Sequence, residues 1–359
     1  MSEFPYNGFK YIRNNSKDKP LVSIEHEKEI PEFLFKYYSF SKYNVSALIN
    51  SYLYASHPFE LNDILDSSVF LLQTSQPIPY DLYEKLYYPT LSKVEIKEFY
   101  EEDLENKCTG YIFELWQLMT NVLGIISLTE REHHPLMWPH YTNEKGFQIK
   151  YRTKNLENSI KKEYPEHGSY AGLFPINYTK YLSPVDISQF KDHFIPLYYI
   201  LNIKYHKWEY EDEWRLIMSR PQMGVPYSKA SFSTRKDYET DIKNRYINYD
   251  SSVIEEITLG MNFINGKDFE IHNIEKSDMR IKPLNSNVDS LEETGNLIKF
   301  LNYLIDSKIQ VYYSGVKYEN NSQDEICLVR TKELIQLSYG EDGYYIFRRT
   351  NDVKILLDN

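Results

Sequence analysis

The sequence has few cysteines, no long apolar run and no pattern typical of a targeting segment. Two of its 359 residues are cysteines, Cys108 and Cys327, and their wide separation matches no metal-binding spacing. We therefore expect both to be reduced thiols in a cytoplasmic protein. No window approaches the roughly 18 consecutive apolar residues that a membrane-spanning helix needs. The first residues, Met1 to Pro5, also lack the basic and then apolar order of a signal peptide.

Positive charge is in the minority. The chain has 41 Lys and Arg against 52 Asp and Glu, which gives a net charge of -11. Broad, non-specific binding of nucleic acid requires a basic face, so this balance argues against it, although a local basic groove stays open. The sequence also lacks a glycine-rich phosphate loop, a GxSxG nucleophile elbow and a dinucleotide-binding GxGxxG pattern. These absences disfavour P-loop ATPases, serine hydrolases and Rossmann dehydrogenases.

The most unusual stretch is residues 207–215, which combine four carboxylates with two of the four Trp of the chain. If the chain is extended here, Glu211, Glu213 and Arg215 point to one face, because alternate residues of a strand share a face. Such a row fits orientation of a nucleophile, stabilisation of a cationic transition state or metal binding. Neighbouring acids repel, so we expect one of them to hold its proton unusually strongly. The alternative is a solvent-facing edge strand with a Glu–Arg pair.

Residues 129–141 form a second candidate cluster, with three His in eight residues. A zinc site is not favoured, because two of these His are neighbours and no HExxH or CxxC accompanies them. Two Pro in the same stretch disfavour a regular helix. The preferred interpretation is a loop that presents Trp138, His140 and Tyr141 to a pocket or to the core.

Residues 56–66 form a third, loop-like cluster. Asn and Asp commonly close turns, and this is the default role of Asn62, Asp63 and Asp66. The alternative is that these side chains fix a ligand or a neighbouring catalytic loop.

Periodicity along the chain predicts an α+β fold with mixed central sheets and a helical insertion. Residues 1–30 are polar, and we expect them to be irregular and to wrap the surface. Helical spacing dominates residues 79–122, with strands before and after it. Residues 31–284 are expected to form one catalytic or ligand-binding domain. A polar stretch at residues 285–289 marks the candidate boundary to a small C-terminal α+β region, residues 285–359.

Two further helices and several strands are predicted. Helical spacing at residues 45–53 follows Ser41 or Asn44 as the N-cap, and Ser290 with Glu293 forms a capping box before the second helix. The predicted strands are residues 31–38, 124–128, 146–151, 174–178, 253–260, 309–313, 326–329, 344–347 and 353–357.

Taken in chain order, these clusters resemble a bacterial family of unknown function, domain-of-unknown-function family 2971 (DUF2971). The family pattern is a Tyr-Lys-Tyr-like strand, a Phe-Asn-Asp-Pro-Phe-Asp loop, Ser-Leu, Met-Trp-x-His-Tyr, Lys-Gly-Phe and Trp-x-Tyr-Glu-x-Glu-Trp-Arg. The loop departs from that pattern at Leu61, Ile64 and Leu65, where the family has Phe, Pro and Phe. The matching residues are 35–38, 61–66, 127–128, 137–141, 145–147 and 208–215, with 257–260 as a closing strand.

The order of elements is also similar to that of ADP-ribosyltransferase-like folds. In those enzymes NAD lies in a cleft, aromatic rings sandwich nicotinamide, and a late glutamate steadies the cationic ribose. The similarity implies that Glu213 is the catalytic acid, with Glu211 as its partner and Arg215 on the same face. It also implies a cofactor-binding set that supplies a stacking ring and contacts to phosphate or ribose. This set is Lys36, Tyr37, Asn62, Asp63, Trp138, His140 and Tyr141.

The expected function is therefore that of an NAD-using ADP-ribosyltransferase-like enzyme or NAD glycohydrolase, as a bacterial toxin or antiphage defence effector. The expected partners are a nucleotide and a protein or nucleic-acid acceptor, without a membrane. Two alternatives stay open: a metal-dependent hydrolase or nuclease, and a non-catalytic sensor or interaction module. The metal-dependent alternative would use Asp63, Asp66, Glu211 and Glu213. We expect Glu211 or Glu213, Trp138 and the 62–66 loop to line one concavity.

Overall fold

Helices and strands occur together in two units, each built from separate parts of the chain. The structure is a computed structural model, which describes residues 2–16, 19–87, 91–165, 170–226, 239–273, 278–284, 290–320 and 325–356. Unit 1 comprises Met1–Ile30, Leu53–Leu128 and Ile160–Ile247, and unit 2 comprises Pro31–Tyr52, Thr129–Ser159 and Asn248–Asn359. The predicted α+β class is confirmed. An ADP-ribosyltransferase-like arrangement and the predicted domain division stay predictions.

The elements are numbered in chain order. The α-helices are α1 (Lys42–Ile49), α2 (Tyr80–Tyr87), α3 (Lys93–Glu105), α4 (Thr109–Val122), α5 (Met137–Thr142), α6 (Thr153–Glu163), α7 (Phe194–Asn202) and α8 (Ser290–Asp306). The strands of the first half are β1 (Glu3–Tyr6), β2 (Phe9–Arg13), β3 (Val22–Glu25), β4 (Phe33–Tyr38), β5 (Tyr52–Tyr54), β6 (Leu72–Gln73), β7 (Leu123–Thr129), β8 (Phe147–Arg152), β9 (Tyr170–Pro175), β10 (Asn177–Thr179) and β11 (Val185–Asp186). Those of the second half are β12 (Ile203–Tyr205), β13 (Glu213–Ser219), β14 (Val225–Pro226), β15 (Glu239–Thr240), β16 (Tyr246–Asn248), β17 (Ile254–Leu259), β18 (Phe269–Asn273), β19 (Asp278–Pro283), β20 (Gln310–Asn320), β21 (Ile326–Tyr339) and β22 (Tyr345–Leu356).

Three strands between Glu3 and Glu25 form a sheet, so the expectation that residues 1–30 are irregular is wrong. β1, β2 and β3 pair in antiparallel order. Tyr11 and Val22 are fully buried. The ring of Phe4 lies 5.4 Å from that of Tyr199 on α7, and the two rings meet edge to face. Burial of these rings ties the sheet to unit 1, because aromatic side chains bury a large apolar area. The polar composition of residues 1–30 concealed the few apolar positions on which this sheet depends.

The core of unit 1 lies around α4 and α7. Leu115, Trp116, Tyr199 and Leu201 are all buried there. The predicted helical region at residues 79–122 is confirmed as α2, α3 and α4. Strands β7, β13 and β9 are neighbours in this order, and β13 runs antiparallel to β9. The first six residues of β13 are buried without a break, so its charged residues lie inside the protein.

Unit 2 is built on a sheet with the strand order β18–β19–β22–β21–β20–β17–β8–β4. β17 and β20 are parallel, and the remaining pairs are antiparallel. Phe300 of α8 is fully buried and lies 4.9 Å from Phe147 and 5.6 Å from Phe263, between ring centroids. Helix α8 therefore contributes to the core of this unit.

Most predicted elements of unit 2 are confirmed. The strand predictions at residues 31–38, 146–151 and 253–260 correspond to β4, β8 and β17. Helix α1 is capped by Ser41, whose hydroxyl accepts a hydrogen bond from the backbone N–H of Asn44 at 3.3 Å. The late strands β20, β21 and β22 are longer than the four short strands predicted for them. The proposed boundary at residues 285–289 and the side chains of the predicted 290–293 capping box lie outside the described residues.

Within the described part of the chain, every helix is too short or too polar to cross a membrane.

Candidate functional site

The stretch that the sequence singled out is not one extended strand. Residues His206–Glu211 form a 3₁₀ helix, and Asp212 follows with a φ of 38°, in the left-handed region. β13 begins at Glu213, so Glu213 and Arg215 share a face, while Trp214 lies on the other and is fully buried. The expectation that Glu211 belongs to the same strand face is therefore wrong. The left-handed turn changes the direction of the chain between the two acids.

Glu211 and Glu213 nevertheless meet at a lysine. The Nζ of Lys204, on β12, donates hydrogen bonds to Glu211 Oε2 at 2.6 Å and to Glu213 Oε2 at 2.8 Å. Asp66 Oδ2 lies 3.8 Å from the same nitrogen. Each of these side chains is at most about one-twentieth exposed. We call these residues, together with Arg215, the acidic–basic cluster: Asp66, Lys204, Glu211, Glu213 and Arg215.

Arg215 joins the cluster to the 62–66 loop. Its Nη1 donates to Asp66 Oδ1 at 2.8 Å and its Nη2 to Asp66 Oδ2 at 2.5 Å, which is a two-pronged carboxylate contact. Its Nε donates to Glu213 Oε1 at 2.7 Å, and Nη1 also reaches the carbonyl oxygen of Leu201 at 2.8 Å. The guanidinium is therefore fixed from three sides inside the protein.

The cluster keeps Glu213 ionised. Burial favours the neutral carboxyl group, but the charges of Arg215 and Lys204 and their hydrogen bonds outweigh it, so the pKa of Glu213 lies far below its ordinary value. Burial lowers the pKa of Lys204, yet the surrounding carboxylates raise it above its ordinary value. The expectation that one of the two acids holds its proton unusually strongly is not met by Glu213, because Lys204 and Arg215 both donate hydrogen bonds to its carboxylate.

One edge of the cluster is aromatic and only partly buried. Trp208 donates its indole N–H to Asp63 Oδ2 at 2.9 Å, and Lys204 Nζ lies 5.1 Å from the centroid of the Trp208 ring. The ring of Tyr210 is 6.1 Å from that of Trp208. Asn62, next in the loop, is exposed. This edge is where the predicted loop residues and the 3₁₀ helix meet.

Sequence reasoning missed Lys204 and left Trp208 without a position. Lys204 follows the apolar residues 197–203, interrupted only by polar Asn202, and a charged residue at the end of such a run is a signal of a buried ion pair. Tyr178 was missed as well; its hydroxyl accepts a hydrogen bond from the backbone N–H of Glu213 at 2.9 Å. Burial and the charge of Glu213 both raise the pKa of Tyr178 above its ordinary value.

The remaining predicted site residues belong to unit 2. Trp138 is fully buried, with its ring 5.3 Å from Tyr37 in an edge contact and 5.9 Å from His133 in a stacked one. The Tyr37 hydroxyl donates to the carbonyl oxygen of Glu132 at 2.7 Å. Tyr37 and Trp138, two of the three residues predicted to supply the stacking ring, are therefore packed against other side chains of their own unit. Their role in ligand binding stays a prediction.

Three further predicted residues differ in exposure. His140 is exposed on α5, Tyr141 is partly buried, and Lys36 Nζ lies 5.6 Å from the centroid of the Tyr38 ring. The expectation that two Pro prevent a helix here is wrong. α5 includes Pro139 in its first turn, where the missing backbone N–H is not needed by the helix.

Unit 2 contains a second buried group of charges around Lys332. Its Nζ contacts Glu132 and Glu256, and Lys150 Nζ lies 3.8 Å from Glu256. His133 is 7% exposed, and within the described residues neither of its ring nitrogens has a hydrogen-bond partner. Burial, reinforced by the nearby cations, lowers the pKa of His133 to about 3, although Glu132 acts against this. No periodic pattern in the sequence predicts this group.

The two charge groups differ from a metal centre in their donors. Over the described ranges, no set of three or more His, Cys, Asp or Glu side chains is arranged to hold a metal ion. In the acidic–basic cluster the carboxylate oxygens of Asp66 and Glu213 face Arg215 and Lys204 instead. Cys108 and Cys327 are free thiols.

Comparisons with known proteins bear on family alone. No curated protein and no solved structure matches the chain. Residues 137–216 match the family DUF2971, described as a protein of unknown function. The matched stretch begins at α5 and ends just after Arg215, so it includes four of the five residues of the acidic–basic cluster. Over residues 137–216, this match confirms the resemblance to DUF2971.

Proposed function

We propose that the protein cleaves the nicotinamide–ribose bond of NAD, as an ADP-ribosyltransferase-like enzyme or an NAD glycohydrolase, and that the acidic–basic cluster is its catalytic centre. The observation that carries this proposal is the fixed, ionised carboxylate of Glu213 beside Glu211 in a buried site. A bacterial toxin or antiphage effector is the corresponding biological role.

The chemistry needs such a carboxylate. When the bond between nicotinamide N1 and ribose C1′ breaks, its electron pair leaves with nicotinamide and the ribose becomes cationic. A water molecule or an acceptor group then forms the new bond to C1′ and releases a proton. A preorganised negative charge in a site of low dielectric lowers the energy of the cationic ribose without reorganisation during the reaction. Lys204 and Arg215 would keep Glu213 in that state.

The partly buried edge of the cluster supplies the groups that NAD would contact. Trp208 and Tyr210 are aromatic and lie next to each other, which suits stacking on nicotinamide. Asp63 and Asn62 lie in the adjoining loop and supply polar contacts for ribose hydroxyls. Because Glu213 is only 4% exposed, the proposal requires the 3₁₀ helix at His206–Glu211 to move when NAD binds.

The second candidate is a non-catalytic sensor or interaction module. One observation favours it: both carboxylate oxygens of Glu213 are already bound by Lys204 and Arg215. In that case the cluster would hold β12, β13 and the 62–66 loop together, and Trp208 would bind a ligand or a partner at the edge. Loss of Glu213 would then change stability or binding without removing any turnover.

An assay with NAD labelled in nicotinamide, and with NAD labelled in its adenylate, distinguishes the NAD-cleaving enzyme from the non-catalytic module. The full chain is incubated with each, and released nicotinamide and label on protein, DNA or RNA are measured. We expect release or transfer by the wild type, and a loss of about 100-fold or more in Glu211→Gln and Glu213→Gln, typical of losing transition-state charge stabilisation. Glu209→Gln is the matched control, because Glu209 is exposed on the same 3₁₀ helix.

The outcomes separate the proposals. A wild-type protein that releases no nicotinamide and transfers no label excludes the NAD proposal. Equal activity in Glu213→Gln and the wild type removes the cluster from the reaction. The metal-dependent alternative is checked by adding a chelator, since its activity against nucleic acid should stop, whereas carboxylate-stabilised cleavage of NAD should continue.

A further inference from the structure

Unit 2 contains a cavity of about 500 Å³ that none of the predicted site residues lines. Three lysines line it, Lys42, Lys145 and Lys267, against one carboxylate, Asp268. In a chain with a net charge of -11, this is a local excess of positive charge. All three lysines are exposed, and Lys42 Nζ lies 5.3 Å from the centroid of the Tyr43 ring, which also lines the cavity. The cavity is therefore suited to an anionic group.

The inner wall of the same cavity is aromatic. Phe263 and Phe269 line it and are 3% and 2% exposed, and Phe40 lines it beside them. The ring of Phe40 meets that of Phe263 edge to face at 5.8 Å, and Phe263 and Phe269 are 6.0 Å apart. An aromatic group placed against this wall would be shielded from water and would contact aromatic side chains.

The walls are held in place by backbone contacts. The N–H of Asn262 donates to the carbonyl oxygen of Glu144 at 2.8 Å, and that of Gly260 donates to Gly146 at 2.9 Å. The N–H of Leu284 donates to the carbonyl oxygen of Asp268 at 2.9 Å. The first two bonds join the segment that carries Lys145 to the segment just before Phe263, and the third joins Leu284 to the segment that carries Lys267 and Phe269. The cavity is thus preformed, as small-molecule sites usually are.

We propose that this cavity is a second nucleotide site, which binds a nucleoside diphosphate or a similar nucleotide with its base on the phenylalanine wall and its phosphates among the three lysines. The volume lies within the range of about 300–1,000 Å³ that small-molecule sites occupy. Lysine ammonium groups bind phosphate as point charges and do not require a fixed fork geometry. The site is separate from the acidic–basic cluster, and it does not depend on NAD cleavage.

Isothermal titration calorimetry of the full chain with ADP, adenosine and inorganic pyrophosphate tests this proposal. We expect ADP to bind, with adenosine and pyrophosphate each at least tenfold weaker, because each lacks one half of the recognised chemistry. Raising the salt concentration should weaken ADP binding. The absence of ADP binding would overturn the proposal. If adenosine binds as tightly as ADP, the lysines do not contribute to binding. If pyrophosphate binds as tightly as ADP, the phenylalanine rings do not contribute. Either result rejects a nucleotide site.

Charge variants assign the binding to this cavity. Replacing Lys42, Lys145 and Lys267 together with Gln should weaken ADP binding at least tenfold. The matched control replaces Lys154, Lys162 and Lys299 with Gln; these lysines are exposed and do not line the cavity, so ADP affinity should stay within twofold. Equal affinity in the cavity variant and the wild type would overturn the assignment.

The two proposals fail separately. Glu213→Gln removes the proposed catalytic carboxylate and should leave ADP binding at the lysine cavity within twofold of the wild type. If NAD is not cleaved but the lysine variant loses ADP binding, the proposed function fails and the nucleotide site stands. If NAD is cleaved but ADP binding does not depend on the lysines, the reverse holds.

Discussion

At the scale of single residues, burial and neighbouring charge compete at Glu213. Removing a carboxylate from water raises its pKa, and two cations within hydrogen-bonding distance lower it further than burial raises it. The sequence places Glu211 and Glu213 two residues apart, which by itself suggests repulsion. Local spacing does not show that Lys204 contacts both acids, or that Asp66 binds Arg215. The direction of the pKa shift of Glu213 was therefore not predictable from spacing alone.

Glu213→Gln tests this balance through stability. At neutral pH we expect the variant to be destabilised by about 3–5 kcal/mol, the cost of removing one partner from a buried ion pair. A lowered pKa in the folded state stabilises the fold above the unfolded-state pKa of about 4.3, and this contribution is lost as the pH falls below that value. The difference between variant and wild type should therefore shrink in acid. Urea unfolding followed by circular dichroism at pH 7, 5 and 3.5 measures it.

Glu209→Gln serves as the control in the same experiment and should stay within about 0.5 kcal/mol of the wild type, as for most surface changes. A Glu213→Gln variant that is as stable as the wild type at pH 7 would contradict the charge balance described for the cluster.

His133 gives a second prediction, in a different pH range. With a folded-state pKa of about 3, this imidazole stays neutral in the folded protein while the unfolded chain takes up a proton below about pH 6.5. From this residue alone, stability should therefore fall as the pH drops below about 6.5, with a slope that approaches about 1.4 kcal/mol per pH unit near pH 5. His133→Phe keeps a ring against Trp138 and removes the titration, so the fall should be smaller in the variant.

Thermal and urea unfolding between pH 7 and pH 5 measure this effect. His140→Gln removes an exposed imidazole from α5 and should retain the full acid-side loss. If the stability of His133→Phe falls with decreasing pH as steeply as that of the wild type, His133 does not cause the pH dependence.

At the scale of elements, periodicity predicted well wherever one face of an element is buried. β4, β8, β17 and the helices of residues 79–122 all lie where the sequence predicts them. The stretch before β13 was missed for a physical reason. A 3₁₀ helix of six residues is too short for its period of about three residues to show in the sequence. Asp212 then enters the left-handed region, which Asp tolerates better than most residues.

Two glycines of unit 2, one crowded and one not, test how closely the chain before β8 approaches the end of β4. A Cβ on Gly146, just before β8, would lie 1.9 Å from the carbonyl oxygen of Tyr38, the last residue of β4. A Cβ on Gly266 would meet nothing within 4 Å. We expect Gly146→Ala to lower stability by more than about 2 kcal/mol, because backbone atoms must shift to relieve the overlap. Gly266→Ala should cost little or nothing.

The melting temperatures of the two alanine variants and the wild type, from thermal unfolding, measure this effect. A drop of several degrees in Gly146→Ala with no drop in Gly266→Ala is the expected result. Equal melting temperatures for both variants would mean that the turn after α5 adapts freely.

At the scale of the whole molecule, the family resemblance predicted candidate site residues, and the structure showed which residues they contact. Asp66 and Arg215 are 149 residues apart in sequence, yet they form a two-pronged ion pair. Motif order along the chain indicated that both regions matter, and only the fold brings them into contact. The lysine cavity and the Lys332 group carry no recognisable motif, since their charges converge from separate segments of the chain.

The proposed catalytic role of the acidic–basic cluster is tested by the release of nicotinamide from labelled NAD by the folded full chain and its variants. Circular dichroism at the assay temperature establishes that each variant is folded before its activity is compared. We predict turnover by the wild type and by Glu209→Gln, with a loss of about 100-fold or more in Glu211→Gln and Glu213→Gln. Folded Glu213→Gln protein that releases nicotinamide at the wild-type rate, or wild-type protein that releases none, would contradict it.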